Sequence, residues 1–260
     1  MGITRITNTF KANREAGRKS LIIYISAGDP SLETTESLVK QLAICGVDIV
    51  ELGVPFSDPV ADGSVIQAAN QRALEGGASL AKIIQMTSAL RAEVDIPLVL
   101  MSYYNPLLQY GLDNLAVAMY NAGADGLIVP DLPLEESQLI REALRDYQLA
   151  VIPLVAPNTP VQRLSRIAAA ASGFIYCVAL TGVTGIRRDL SRGIKEYLNG
   201  VRAETDLPIG VGFGISTPEQ AGVIAPFCDG IIMGSAVINT LHEEGQTAAI
   251  NLVKKIRQAI

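Results

Sequence analysis

The chain has 260 residues, a formal net charge of −5 and a hydrophobic content of 49%. These values fit one α/β enzyme domain with a large core and exclude a disordered or fibrous chain. An acidic balance with scattered basic residues argues against nucleic-acid binding. Three cysteines without a Cys-x-x-Cys spacing, a polar N-terminus and no run of 18 apolar residues predict a reduced, cytoplasmic protein without a membrane segment.

Eight short apolar runs recur along the chain and predict eight strands. Most of them are continuous, as expected for parallel strands that are covered on both faces. They span residues 21–27, 47–53, 97–102, 126–130, 150–155, 173–178, 208–213 and 229–234. Helical patterns lie between them, so the sequence predicts an α/β fold, a (β/α)8 TIM barrel, with residues 1–260 as a single domain. A doubly wound open sheet is the alternative.

Several helix boundaries are also predicted from local signals. Residues 3–16 are expected to form an extra helix that closes the bottom of the barrel. Thr159-Pro160 is expected to be a cap followed by the first helical residue. Ser216 and Glu219 have the spacing of a capping box, and a short helix is expected over residues 236–241.

The segment over residues 47–63 carries the strongest functional signal. Because side chains alternate along a strand, Val47, Ile49 and Glu51 share one face. If that face lines the barrel, Glu51 points inward near the carboxyl end of its strand. Burial there raises the pKa of a carboxyl group and suits proton transfer near neutral pH. A structural glutamate paired with a buried cation is the alternative, but the predicted strands contain no Lys or Arg.

A second carboxylate, Asp62, follows in the long connection over residues 54–79. Taken alone, Asp62 fits better as the N-cap of a helix that begins near Ser64. Asp58, before Pro59, fits a turn. Only the combination of Asp62 with Glu51 indicates two carboxylates that act on one substrate.

A phosphate site is predicted after the last two strands. Gly212 and Gly214 follow the seventh strand, and Gly234-Ser235 follows the eighth and opens the short helix. TIM barrels often bind phosphate at these two loops through backbone N–H groups and a helix N-terminus. Structural turns are the alternative reading of these glycines.

The connection after the sixth strand predicts a lid, and aromatic residues near strand ends predict a flat apolar pocket. The sequence Thr-Gly-Val-Thr-Gly at residues 181–185 offers hinge glycines, although an ordinary flexible loop fits equally well. The aromatic residues are Tyr24, Tyr103, Tyr176 and Phe213.

Other catalytic chemistries find no support in the sequence. The single histidine, His242, lies after the eighth strand at a polar helix end, which argues against a Ser-His triad and a zinc cluster. No lysine lies at a predicted strand end, which argues against a Schiff base. We therefore expect carboxylate acid–base chemistry without a metal or a cofactor.

The residues over 51–63, Glu-Leu-Gly-Val-Pro-Phe-Ser-Asp-Pro-Val-Ala-Asp-Gly, resemble the signature of the tryptophan synthase alpha chain family. Supporting matches lie at residues 27–30, 103–106, 130–133, 181–185, 212–216 and 234–235, so the resemblance covers essentially the whole chain. It implies a TIM-barrel lyase of tryptophan biosynthesis that cleaves indole-3-glycerol phosphate into indole and glyceraldehyde 3-phosphate. It also implies a beta subunit as partner, in a heterotetramer of two alpha and two beta subunits.

The resemblance implies a role for each matching residue. Glu51 would protonate indole C3 and help to take the proton of the glycerol hydroxyl, and Asp62 would hold the indole N–H. The phosphate contacts would be Gly185, Gly214, Gly234 and Ser235. The indole pocket and lid would comprise Tyr24, Tyr103, Ile128, Pro130, Tyr176, Thr184 and Phe213, with Thr184 meeting Asp62 on closure. The positions that face the partner would be Asp58, Asn105 and Asp131.

Three alternative functions stay open at this point. The same residues would serve a stand-alone lyase that releases free indole. Another phosphosugar enzyme, such as an isomerase, would not need the flat apolar pocket. A non-catalytic partner of a beta subunit would not need an unpaired buried carboxylate.

Overall fold

The computed structural model describes residues 2–178, 187–212 and 214–260, in which strands and helices alternate. The strands are β1 (Ser20–Ser26), β2 (Ile49–Gly53), β3 (Leu98–Met101), β4 (Gly126–Ile128), β5 (Ala150–Ile152), β6 (Leu154–Val155), β7 (Ile175–Val178), β8 (Ile209–Gly212) and β9 (Gly230–Met233). The helices are α1 (Gly2–Glu15), α2 (Leu32–Ile44), α3 (Ser64–Glu75), α4 (Leu80–Arg91), α5 (Tyr104–Tyr110), α6 (Leu112–Asn121), α7 (Gln138–Arg145), α8 (Val161–Ala170), α9 (Arg187–Ala203), α10 (Pro218–Ile224), α11 (Ser235–Glu244) and α12 (Gln246–Ala259). Two short 3-10 turns cover Leu134–Glu136 and Ala225–Phe227. Within these ranges no helix is both long and apolar enough to span a bilayer.

The sheet closes on itself through one chain segment. The described strands run in the order β5-β4-β3-β2-β1-β9-β8-β7-β6, and every pair is parallel. Strands β5 and β6 sit at the two ends of this order, yet only Pro153 separates them. The predicted TIM barrel is therefore confirmed, and the open doubly wound sheet is wrong.

Pro153 also explains why the predicted fifth strand, residues 150–155, is found as two strands. Proline has no N–H group to donate to a neighbouring strand, so the ladder is interrupted there. The piece before Pro153 pairs with β4 and the piece after it pairs with β7. The interruption lies where the segment changes partners.

Helix α1 closes the bottom of the barrel, which confirms the helix predicted over residues 3–16. Ile6 and Phe10 lie one turn apart on its buried face. The ring of Phe10 lies 5.5 Å from the ring of Phe174, centroid to centroid. The two side chains join the apolar cluster inside the barrel, whose other buried members are Ile22, Ile49, Val99, Ile128, Ala150, Ile152, Phe174, Tyr176 and Ile232.

Three aspartates, Asp48, Asp125 and Asp229, immediately precede strands β2, β4 and β9 at the bottom of the barrel. Each accepts a hydrogen bond from a backbone N–H at the start of a neighbouring strand, at 2.7 to 2.9 Å. Each is also paired with arginine: Asp48 with Arg257, Asp125 with Arg5 and Arg91, and Asp229 with Arg202. Carboxylates at this end are thus neutralised and serve stability.

Some local predictions are wrong in detail. The capping box of α10 joins Thr217 to Gln220 rather than Ser216 to Glu219, because Pro218 has the fixed φ that suits the first helical position. Pro160 is the N-cap of α8 rather than its first residue.

Two element boundaries also differ from the predicted ones. Strand β2 begins at Ile49, so Val47 precedes it and packs in the outer layer between the barrel and the helices. The short helix predicted over residues 236–241 extends over Ser235–Glu244.

Candidate active site

A cavity of about 850 Å³ opens at the carboxyl ends of the strands. Strands β1, β3, β7 and β9 form its inner wall, and the connections after β2, β6, β8 and β9 form its rim. Its lining includes six of the residues predicted from the sequence, namely Tyr24, Asp62, Tyr176, Gly214, Gly234 and Ser235. One predicted carboxylate, three predicted phosphate contacts and two predicted aromatic residues therefore meet at one cavity.

Glu51 lies in the barrel next to this cavity. It follows the interior residue Ile49 on the same face of β2, and it lies in register with Tyr24 of β1 and Val99 of β3. The residue is fully buried, and neither carboxyl oxygen has a hydrogen-bond partner among the described residues. Burial raises the pKa of Glu51 to about 8. The side chain can therefore both give and take a proton near neutral pH.

Asp62 lies in the connection between β2 and α3, on the wall of the cavity. Its Oδ2 accepts a hydrogen bond of 3.2 Å from Nδ2 of Asn70, and the Tyr103 hydroxyl donates a second one. Gly63 is the N-cap of α3, so the alternative that Asp62 caps this helix is wrong. Burial raises the pKa of Asp62, and the two hydrogen bonds act in the opposite direction.

Two tyrosines wall the cavity because each lies against a glycine on the next strand. A Cβ atom on Gly53 would lie 2.2 Å from the hydroxyl oxygen of Tyr24. A Cβ atom on Gly212 would lie 2.4 Å from the hydroxyl oxygen of Tyr176. Only glycine leaves space for these rings, which are buried and offer apolar faces. Burial raises the pKa of both tyrosines, so their hydroxyl groups stay neutral at physiological pH.

The rim of the cavity also presents backbone N–H groups. Helix α11 begins at Ser235 with Gly234 as its N-cap, and the N–H groups of its first turn have no acceptor within the helix. Gly214 has a φ of +84°, a conformation that favours glycine, and a Cβ atom there would meet nothing within 4 Å. A helix N-terminus beside an open glycine backbone is suited to a phosphate group.

The remaining pocket residues predicted from the sequence have different positions. Tyr103 contacts Asp62 and lies with its ring 5.4 Å from that of Phe56. Ile128 belongs to the apolar cluster inside the barrel. Pro130 lines a neighbouring cavity of about 350 Å³. Thr184, Gly185 and Phe213 lie outside the described residues.

The three residues predicted to face a partner are all exposed. Asp58 lies in the connection after β2, where its Oδ2 accepts a hydrogen bond from the Ser57 hydroxyl. Asn105 lies in the first turn of α5. Asp131 accepts a hydrogen bond of 3.0 Å from the backbone N–H of Tyr104, which ties the connection after β4 to α5.

Sequence reasoning missed several residues of the site. Ile66, Met101 and Ile232 line the cavity, and Asn70 contacts Asp62. The alternation that identified Glu51 could have found Met101, since it follows the interior residue Val99 by two positions. Asn70 follows Ile66 by four positions, and such helical spacing places both on one face.

The family model described as tryptophan synthase alpha chain matches residues 10–259 of this chain. This chain belongs to the tryptophan synthase alpha chain family. The resemblance inferred from residues 51–63 is thereby confirmed.

Individual family members are similar over nearly their whole length. The chain is 48% identical to the tryptophan synthase alpha chain of Carboxydothermus hydrogenoformans over 92% of this chain and 90% of that protein. It is 45% identical to the alpha chain of Chloroflexus aurantiacus over 99% of each. The crystal structure of tryptophan synthase subunit alpha from Legionella pneumophila superposes with a TM-score of 0.92, at 38% identity, covering 100% and 98% of the two chains. A ligand-free crystal structure of tryptophan synthase from M. tuberculosis superposes with a TM-score of 0.91, at 34% identity, covering 98% of each chain.

The burial of Glu51 predicts how stability depends on pH in this family member. A carboxyl group whose pKa rises from 4.5 to about 8 on folding binds its proton more tightly in the folded state. The stabilisation of the folded state by this tighter proton binding is present below pH 4.5 and is lost as pH rises towards 8. In this window we expect the wild type to become less stable relative to Glu51→Gln as pH rises. The difference between their free energies of unfolding should change by up to about 1.4 kcal/mol per pH unit.

Urea unfolding of both proteins at several pH values checks this expectation. Glu136→Gln is the matched control, since it makes the same substitution at an exposed glutamate. The free-energy difference between Glu136→Gln and the wild type should stay constant with pH. A constant difference for Glu51→Gln as well would contradict the assignment of a raised pKa to Glu51.

Proposed function

We propose that this protein cleaves indole-3-glycerol phosphate into indole and glyceraldehyde 3-phosphate, as the alpha component of tryptophan synthase. The observation that carries the proposal is Glu51, an unpaired carboxyl group beside a cavity that has Asp62 on its wall and a helix N-terminus on its rim. We take residues 1–260 as one catalytic domain. The free thiols of Cys45, Cys177 and Cys228 support a reducing, cytoplasmic location.

The cavity suggests how the substrate is oriented. The phosphate would bind the backbone at Gly214, Gly234 and Ser235, with Gly185 as a further predicted contact. The indole ring would lie against Tyr24 and Tyr176, beside the apolar side chains of Ile66, Met101 and Ile232. This orientation leaves the indole N–H for the carboxylate of Asp62, and Thr184 stays a predicted lid residue.

The reaction requires one proton to enter the ring and one to leave the glycerol chain. Glu51, protonated near neutral pH, would give its proton to indole C3, and the ring would become positively charged. The fixed negative charge of Asp62 would stabilise that cation. The Glu51 carboxylate would then take the proton of the adjacent glycerol hydroxyl as the carbon–carbon bond breaks. The bonding electrons return to the ring, the hydroxyl carbon becomes the aldehyde, and Glu51 regains its proton.

Indole release by the purified protein tests this mechanism. We expect Glu51→Gln to lower kcat by about 100-fold or more, because general acid–base catalysis contributes at least that much. Asp62→Asn should also lower kcat, since it removes the negative charge that stabilises the ring cation. Both variants should keep the wild-type fold by circular dichroism.

Glu136→Gln serves as the control for the assay and should retain full activity. Wild-type activity in Glu51→Gln would show that another group moves the proton. A wild type that does not cleave indole-3-glycerol phosphate, alone or with a beta subunit, would contradict the proposed function.

We also propose that a tryptophan synthase beta subunit binds at the carboxyl end of the barrel and receives the indole. The connection after β2 carries Asp58 and the apolar side chain of Val60, which is 83% exposed. Asn105 at the start of α5 and Asp131 in the connection after β4 are also exposed. An exposed valine beside the catalytic Asp62 is suited to a protein contact that also affects catalysis.

This contact predicts that a beta subunit stimulates the reaction through the connection after β2. We expect Val60→Asp to weaken the stimulation, because a charge would have to lose its water in the interface. Ile44→Asp is the matched control: Ile44 is 85% exposed but ends α2 at the other end of the barrel. Titration of each variant with beta subunit, read by indole release, checks the expectation. A fast wild type without any response to the beta subunit would instead favour the stand-alone lyase.

A further inference from the structure

Helix α3 buries a polar side chain that the mechanism above does not use. Its buried residues are Ala69, Asn70 and Ala73, and Asn70 is only 1% exposed. Asparagine is a weak helix former, and a buried amide loses its hydrogen bonds to water. A small apolar residue like its neighbours would fit the packing of this face better. The position therefore requires an explanation beyond packing.

The contacts of Asn70 supply that explanation. Its Nδ2 donates a hydrogen bond of 3.2 Å to Oδ2 of Asp62, eight residues earlier in the chain. Its Oδ1 has no hydrogen-bond partner among the described residues. The amide is thus oriented by Asp62, because the reversed amide would place its oxygen against a carboxylate oxygen. The bond favours the ionised carboxylate, which can only accept.

The second donor to Asp62 comes from a different element. The Tyr103 hydroxyl, just after β3, accepts the backbone N–H of Ala61 at 2.9 Å and donates to the Asp62 carboxylate. Asn70 therefore contacts the carboxylate from helix α3, and Tyr103 contacts it from the end of strand β3. The bond from Asn70 orients the Asp62 carboxylate, and the interaction with Tyr103 supports that orientation.

Apart from the hydrogen bond from Tyr103, the other ionisable groups around Asp62 do not favour its charge. Tyr24 of β1, Tyr103 after β3 and Tyr176 of β7 all interact with its negative charge, and Glu51 of β2 lies in the same site. The ion pairs within the described ranges include none with Asp62. Burial raises the pKa of Asp62, and the hydrogen bonds from Tyr103 and Asn70 lower it.

We propose that Asn70 is a positioning residue for catalysis, which holds the Asp62 carboxylate ionised and directed into the cavity. The proposal rests on the proposed function, in which Asp62 stabilises the positive charge on the ring. Asn70 itself does not line the cavity, so its effect on the substrate is exerted through Asp62.

The substitution Asn70→Leu tests this role, because leucine has a similar size and no donor. A hydrogen bond to a charged group is worth enough to predict a fall in kcat/KM of about tenfold or more. The acidic limb of the pH profile of kcat/KM should move to higher pH. In an Asp62→Asn background the same substitution should have little further effect, because the carboxylate through which Asn70 acts is gone.

A readout that does not depend on turnover is the pH midpoint of the Asp62 carboxyl group, followed by carbon-13 NMR. Asn70→Leu should raise this midpoint. Asn13→Leu is the matched control: Asn13 is a buried helical asparagine whose Nδ2 donates to Ser20 at the bottom of the barrel, 3.0 Å away. It should lower stability without moving the midpoint.

The possible outcomes separate the two proposals. An unchanged Asp62 midpoint in Asn70→Leu, with equal losses of activity in both backgrounds, would overturn the positioning role and leave Asn70 as a packing residue. A raised midpoint in a protein that does not cleave indole-3-glycerol phosphate would support the role of Asn70 and refute the proposed function.

Discussion

The burial of one carboxyl group without a counter-charge, that of Glu51, explains how the interior and the two ends of the barrel are arranged. Glu51 lies inside an apolar barrel, above a layer of Ile and Phe side chains to which α1 contributes Ile6 and Phe10. Ionising a carboxyl group there is costly, so the group keeps its proton to higher pH. The proposed mechanism therefore requires a barrel that is closed at the bottom and open at the top, so that the proton of Glu51 reaches the substrate and not bulk water. Helix α1 and the cavity at the strand ends meet these two requirements.

The carboxylates at the bottom of the barrel and the two predicted catalytic carboxylates have different partners, although Asp29 at the top is also paired with an arginine, Arg72. At the bottom, Asp48, Asp125 and Asp229 each combine a backbone N–H donor with arginine. At the top, Asp62 has neutral donors, and Glu51 has no hydrogen-bond partner among the residues described. Paired carboxylates hold strands together, whereas unpaired ones retain a proton or a charge for chemistry. The division agrees with the general separation of stability and activity in TIM barrels.

Much of this arrangement could be predicted from the sequence, because it depends on periodicity along a strand. Alternation placed Glu51 inside the barrel, and continuous apolar runs predicted the parallel strands. Features that depend on contacts between distant elements could not be predicted in this way. The division of the fifth strand at Pro153 depends on its two partners, β4 and β7. The packing of Tyr24 on Gly53 and the bond from Asn70 to Asp62 require the neighbouring strands and α3 to be in place.

One requirement of the proposed mechanism is that Glu51 carries its proton at neutral pH before any substrate binds. It is tested most directly by carbon-13 labelling of the glutamate carboxyl groups and an NMR titration, with Glu51→Gln used to assign the resonance. We expect Glu51 to be protonated at neutral pH and to titrate with a midpoint of about 8. A midpoint near the ordinary value of 4.5 would show that Glu51 is already ionised, and would contradict its proposed role as the acid that protonates the indole ring.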